Sequence, residues 1–253
     1  MIGVWASPRP LRIFASVILV GAALPNIAWA GPPFLTDDPE PTETRHWEIY
    51  APAADAAGKG ADYEGSFGVE LNYGAAPNVQ ITVGLPVAFT HEAGSSQIGR
   101  GDLDLSVKYR FYHNEEAGFS IAVFPGLSVP TATGGLGHSK VTALLPVWAQ
   151  KDIGAWSVFG GGGYAMNPGI DNRNYWTGGV AVAREIKSGL RVGLEADRQG
   201  ADTVDGHAET SLGLGGIAQL TPKLRVLASG GPTFVDGQGA PGFHAFVALG
   251  LDF

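Results

Sequence analysis

The sequence predicts an all-β fold: a transmembrane antiparallel β-barrel of about 12 strands, with short periplasmic turns and longer outer loops. Three observations carry this. Apolar and polar residues alternate with a period of two through much of the chain, short and long connections alternate, and the chain ends on an aromatic residue of an apolar strand face. Over 242–253, Phe243, Ala245, Val247, Leu249, Leu251 and Phe253 fall on one side of an extended segment. His244, Ala248, Gly250 and Asp252 fall on the other, with Phe246 the exception. A period of two marks a strand whose faces meet different environments. Chain ends usually fray, whereas a closed barrel needs its last strand to pair with its first and leave no edge to lipid. The terminal Phe253 also resembles the aromatic signal that outer-membrane barrels present to their insertion machinery.

Residues 1–30 read as a secretory signal peptide. Arg9 and Arg12 supply the positive start, 13–24 the apolar stretch, and Ala28, Trp29 and Ala30 the small-x-small cleavage site. The apolar stretch, about 12 residues, falls short of the roughly 18 that a membrane anchor needs. Losing Arg9 and Arg12, with no acid alongside them, takes the net charge from −8 to −10. An acidic chain lacks the basic footprint of a nucleic-acid binder. With no cysteine there is no disulfide and no thiolate metal site, and the sequence calls for no cofactor. The 38 glycines, about twice the usual share of roughly 7%, disfavour helices and fit tight turns and crowded faces. No stretch after the leader is long and apolar enough for a membrane helix, so a mature chain that enters a membrane does so as a barrel.

Residues 31–45 form a lead-in dense in proline and acid, expected to be extended and periplasmic, and 46–253 the barrel. Composition favours a disordered tail for 31–43 over a plug or partner-binding segment. The first strand is short, about 47–51, followed by a polar loop to Glu64. In the second, Phe67, Val69, Leu71 and Tyr73 oppose Ser66, Gly68, Glu70 and Asn72. The third sets Val79, Ile81, Val83, Leu85, Val87 and Phe89 against a polar or small face. In the fourth, Leu103, Leu105, Val107, Tyr109 and Phe111 alternate with Asp102, Asp104, Ser106, Lys108 and Arg110. A helix would scatter those four charges, and a strand gathers them on one face. The fifth (119–129) and sixth (141–151) contain Pro125 and Pro146, and adjacent Leu144 and Leu145 leave the sixth without a phase. The remaining strands fall at 156–163, 176–184, 190–197, 210–220, 224–230 and 242–253.

Short connections (74–78, 113–118, 152–155, 185–189, 221–223) alternate strictly with longer ones (52–64, 91–100, 130–140, 165–174, 199–208, 231–241). Outer-membrane barrels have short periplasmic turns and longer outer loops, which puts both chain ends in the periplasm. Aromatic residues sort the same way. Tyr73, Phe111, Phe119, Trp156 and Phe253 lie beside the inner turns, and Phe67, Phe89, Tyr164, Trp176 and Phe243 beside the outer loops. Two belts at opposite rims are what headgroup-level rings predict.

Three stretches carry a family resemblance. They are GPPFLTDDPEP (31–41), VGLPVAF (83–89) with GDLDLSVKYRF (101–111), and LPVWAQKDIGAWSVFGGGGY (145–164) after VPTATGG (129–135). With the overall length, they resemble the outer-membrane transporters grouped as the MetA-pathway of phenol degradation family. The resemblance implies a secreted barrel in the bacterial outer membrane, in contact with its lipid and associated with uptake of aromatic compounds. Its motifs are structural, and it transfers no binding residue.

The polar face of the fourth strand (Asp102, Asp104, Lys108, Arg110) is expected to face the lumen. Glu70, Arg191, Glu195, Asp197, Arg225 and His244 are candidates to join it. Mixed signs favour a mutually neutralising network over a selectivity ring of one sign. Barrels of about 8 strands are filled by side chains and those of 16–18 leave an aqueous channel, so 12 predicts a narrow path for a small solute. Pro86, Pro125 and Pro146 each break a ladder bond, and local bulges are weighed against an aligned weak seam opening sideways to the bilayer. Sequence reasoning places a solute-passing barrel first and a structural or surface-interaction barrel second. A barrel lipid hydrolase comes third, since no G-x-S-x-G or H-E-x-x-H pattern is present.

Overall fold

Leu194 is 63% exposed while the adjacent Glu195 is 5% exposed. The same inversion runs around the molecule: Val107, Tyr109, Leu214 and Val247 stand outward, and Lys108, Ser211 and Ala248 are buried. An apolar exterior around a polar interior is stable only with lipid outside, where every backbone group must find its partner within the wall. The computed structural model that shows this describes residues 33–253. The expected signal peptide lies outside the described residues.

The wall is built from β1 (Trp47–Lys59), β2 (Asp62–Ala76), β3 (Val79–Glu92), β4 (Ser95–Arg100), β5 (Leu103–Asn114), β6 (Phe119–Val123) and β7 (Gly126–Val129). It continues through β8 (Thr142–Ile153), β9 (Trp156–Met166), β10 (Tyr175–Lys187), β11 (Leu190–Gln199), β12 (Glu209–Thr221), β13 (Leu224–Val235) and β14 (Gly242–Asp252). Each strand pairs antiparallel with its neighbours, and β1 closes the ring against β14 through Glu48↔Asp252 to Gly58↔Phe243. Two staves are broken, one between β4 and β5 and one between β6 and β7, so fourteen segments make a closed 12-stranded antiparallel barrel. Phe253 is tied in at the seam, exchanging backbone hydrogen bonds with Trp47 at 2.9 Å in both directions.

The first quarter departs from expectation. β1 does not stop at Ala51 but runs to Lys59, and a turn of Gly60 and Ala61 leads straight into β2. Pro52 reads as a strand end, yet the register shift between Tyr50 and Ala53 absorbs it, as bulges absorb proline. The expected second outer loop is also mostly strand: β4 folds back on β3 through Ala93 and Gly94, both at positive φ. That is the twist-matched geometry of a two-residue hairpin. Strict alternation of connection lengths therefore fails for the first two outer connections. It holds for the other four, at 130–141, 167–174, 200–208 and 236–241, against turns as short as Ser188 with Gly189 at the rim that carries Trp47 and Phe253. That rim is the inner one, and the longer connections mark the outer one.

Leu145 is half exposed on the outward face of β8, whereas Leu144 lines the interior, which supplies the missing phase. The aromatic belts are present as ring contacts: Trp47 with Tyr73 at 4.6 Å on the inner rim, and Tyr164 with Trp176 at 5.1 Å on the outer.

Candidate functional site

The interior is not an open bore. Residues 33–42 touch the wall from β3 round to β13, and a segment that does so can only lie in the lumen. The Pro33 carbonyl accepts from Ser229 of β13. Phe34 packs on Phe159, Ala181 and Ala183. Leu35 N and Thr36 N donate to the Glu195 carboxylate at 3.1 and 3.0 Å. The Lys108 ammonium bonds Asp37 and the Asp38 carbonyl, both at 2.9 Å, and pairs with the Asp38 carboxylate at 3.6 Å. Arg110 pairs with Glu40, and Thr42 N donates to Gln80 at 2.7 Å.

Glycines make the seat. A Cβ at Gly193 or Gly215 would lie 2.9 or 3.0 Å from the Phe34 ring, and one at Gly179 would collide with the Thr36 hydroxyl. Part of the glycine excess is therefore room for the lead-in. Thr36, Asp37 and Asp102 are among the most deeply buried side chains of the described residues.

Below this segment, towards the inner rim, lie two hollows of about 300 and 370 Å³. Arg191, Glu185 and Asp38 border both. Arg225 is fixed there by Asp252 at 2.9 Å, by Glu48, and by the Tyr50 hydroxyl at 3.0 Å. Above it, towards the outer rim, lies a cavity of about 110 Å³ with a largely apolar lining that includes Leu35, Phe124, Leu144, Trp148 and Met166. Asp104 and Asp197 face it, the former accepting from Ser128 at 2.5 Å.

The remaining expected lumen residues are dispersed. Glu70 is buried in a polar ladder with Asn72 (2.7 Å), which in turn accepts from Gln80 and Thr82. His244 bonds Thr233 at 3.3 Å near the outer rim. Asp102 sits in the break between β4 and β5 and accepts from the loop 130–141. The charges thus do not form one constriction. The expected wall-to-wall network exists at Arg225, but Lys108 and Glu195 spend their hydrogen bonds on the lead-in, and Arg110 divides its own between Glu40 there and Asn78 of the turn before β3. Sequence reasoning missed the lumen aromatics Phe34, Tyr50, Phe124, Trp148 and Phe159, because a ring on a polar face carries no periodic signal.

The wall itself has a weak line. Val107 N donates to Pro125 O at 3.0 Å, and Phe124 N donates to Pro146 O at 3.2 Å. A hydrogen-bonded antiparallel pair normally exchanges two such bonds. Proline has no N–H, so each pair keeps one. The two half-bonded pairs flank the break between β6 and β7 on both sides. Pro86 lies apart, opposite Gly68 and bonded through its carbonyl to Gly101 N at 2.9 Å. Of the three prolines singled out in the sequence, Pro125 and Pro146 therefore align and Pro86 does not; Pro52 in β1 and Pro232 in β13 lie elsewhere in the wall.

This geometry defines an outer-membrane β-barrel whose lumen is occupied by its own N-terminal segment. The family described as "Putative MetA-pathway of phenol degradation" matches residues 54–245, and the chain belongs to that family. Among solved structures it is similar to the COG4313 outer membrane channel from Pseudomonas putida F1. The TM-score is 0.67 at 13% identity, over 85% of this chain and 99% of that one. It is also similar to the KdgM porin (TM-score 0.57, 10% identity, 82% and 99% covered). The translocator domain of the autotransporter NalP from Neisseria meningitidis matches at TM-score 0.56 and 11% identity, with 83% and 90% covered. At such identities these likenesses show the fold. No curated protein sequence matches the chain.

Proposed function

We propose that this barrel passes small apolar solutes from outside the cell into the outer membrane, through the outer cavity and then sideways through the wall, with no enzymatic step. One observation carries the reading. The cavity is lined both by interior residues (Ser128, Trp148) and by the outward, half-exposed Leu105 and Leu127, which face each other across β5 and β7. That is where the wall has lost ladder bonds to Pro125 and Pro146. An apolar solute there meets greasy side chains on both sides and avoids the ion pairs below Leu35. The acidic, hydrogen-bonded inner half offers it nothing, since an apolar body gains by leaving polar surroundings.

The test restores the ladder. Pro125→Val with Pro146→Val supplies the two missing N–H donors, and uptake of an apolar aromatic into proteoliposomes is expected to fall several-fold while barrel folding is retained. Unchanged uptake rejects the sideways route. The filled lumen favours a second reading, a barrel with a structural or surface role. Absence of apolar uptake by the wild type, together with silence in planar bilayers, would establish that one. A lipid hydrolase would instead turn over phospholipid. The carboxylate-held imidazole of His138 has no hydroxyl bonded to its Nε2 among the described residues, whereas His91 and His113 do meet serines, at 2.7 Å (Ser96) and 2.9 Å (Ser120), and are the pairs such an activity would have to use. A serine nucleophile needs such a bond.

A further inference from the structure

The ring of His138 lines the outer cavity, and a device spanning two elements holds it there. The Asp102 carboxylate, fully buried in the break between β4 and β5, accepts Thr131 N and Ala132 N at 3.0 Å and His138 N at 2.7 Å. It also bonds His138 Nδ1 at 3.0 Å. Three of the four bonds latch the loop 130–141 inward, and the fourth sets the imidazole. A carboxylate only accepts, so Nδ1 carries a proton, and in the neutral imidazole Nε2 keeps its lone pair. The His138 side chain is 7% exposed, and its one side-chain hydrogen bond among the described residues is the bond to Asp102.

The surroundings set what that lone pair can meet. Phe124, Leu144, Trp148 and Met166 supply apolar walls, and among the described residues no lysine or arginine lines the cavity. Asp104, Asp197 and Glu209 line it and would oppose an anion. We infer that His138, positioned by Asp102, is the acceptor that selects neutral solutes with an apolar body and a hydroxyl donor over their ethers and their carboxylate analogues. An ether of the same shape fills the space and leaves Nε2 without a donor, and an unmade buried hydrogen bond is what discriminates. The inference rests on the proposed function, because it puts the solute in the same cavity.

The mature full-length protein in detergent micelles is titrated calorimetrically with 4-propylphenol and with its methyl ether, 4-propylanisole, against protein-free micelles. The wild type is expected to prefer the phenol by about ten-fold, the discrimination of one good hydrogen bond. His138→Leu is expected to bring the ratio close to one while keeping affinity for the ether. His138→Gln, whose amide oxygen still accepts, is expected to retain part of the preference. A phenol preference that survives His138→Leu overturns the inference and assigns the acceptor to a carboxylate. Loss of both ligands alike in His138→Leu, in a barrel whose heat-modifiable migration shows it folded, reduces the ring to a loop latch and also overturns it. Equal binding of both ligands by the wild type removes the role of His138 and leaves the cavity standing. Binding of neither removes the cavity reading as well.

Discussion

The two halves of the lumen are built on opposite principles although one wall encloses both. The outer half is an apolar cavity with acceptors on its border, open towards a line of missing ladder bonds. The inner half is a set of ion pairs, Arg225 with Glu48 and Asp252, and Arg110 with Glu40, around hollows bordered by Arg191 and Glu185. Residues 33–42 separate them. The difference teaches that this barrel does not choose solutes by a charged ring across a through-channel. Its charges hold the divider, and its greasy half adjoins the line of lost ladder bonds at Pro125 and Pro146.

Removing the divider is the largest perturbation of that contrast. Deleting residues 31–42 is expected to raise single-channel conductance in planar bilayers several-fold, since a 12-stranded wall no longer filled from within leaves room for water. Gly193→Val with Gly215→Val, which crowds the Phe34 ring and also the wall at Val182 O (2.7 Å) and Ala228 O (2.9 Å), is expected to do the same to a smaller degree in barrels whose heat-modifiable migration shows them folded. Conductance equal to the wild type in both variants would mean that the inner half is closed by its own ion pairs.

Lys108→Met comes next. Lys108 and Asp37 are both at least nine-tenths buried and bonded at 2.9 Å, and removing one partner of a buried pair costs about 3–5 kcal/mol. The expected result is a lower midpoint of heat-modified migration and more frequent openings. Adding Asp37→Asn should recover most of the loss by removing the stranded charge. A double variant as unstable as the single one would show that the ammonium acts through Phe124, over whose ring it sits at 4.8 Å, and not through Asp37.

The smallest effect is expected at the outer rim, away from both halves. The Arg198 guanidinium bonds the Asp236 carboxylate of the last outer loop and holds it below the usual carboxylate range. A depressed acid contributes stability above its unfolded value and loses it as pH falls through the folded one. Asp236→Asn should therefore leave solute uptake unchanged at neutral pH. Only below the ordinary aspartate range should the wild-type loop lose its protection from proteolysis. Protection lost already near neutrality would contradict this assignment.

Much of the wall was legible because lipid imposes a period of two. Leu103 to Phe111 and Phe243 to Phe253 can alternate in only one register without exposing charge to hydrocarbon, so their outward faces follow from the residue string. Where the string is alanine and glycine, as over 52–61, alternation carries no signal, and β1 was cut short. The seam at Pro125 and Pro146 was half legible. Each proline announces a missing donor, but only the register Phe124↔Pro146 beside Val107↔Pro125 shows that the two losses adjoin. The seat of Phe34 was not legible at all, since nothing in Gly193 and Gly215 says which distant ring will need their space.

By itself, then, the amino-acid sequence determined the closed wall, its apolar exterior and the rim at which the first strand starts and the last one ends. These follow from nearest-neighbour geometry along each strand and from the demand that no backbone group meet lipid unpaired. Only the tertiary structure decided that residues 33–42 enter the lumen, that Lys108 serves Asp37 rather than a neighbouring strand, and that Asp102 turns His138 towards the outer cavity. Those contacts join residues as far as 196 positions apart, as Pro33 and Ser229 do, and barrel closure is what brings them within reach.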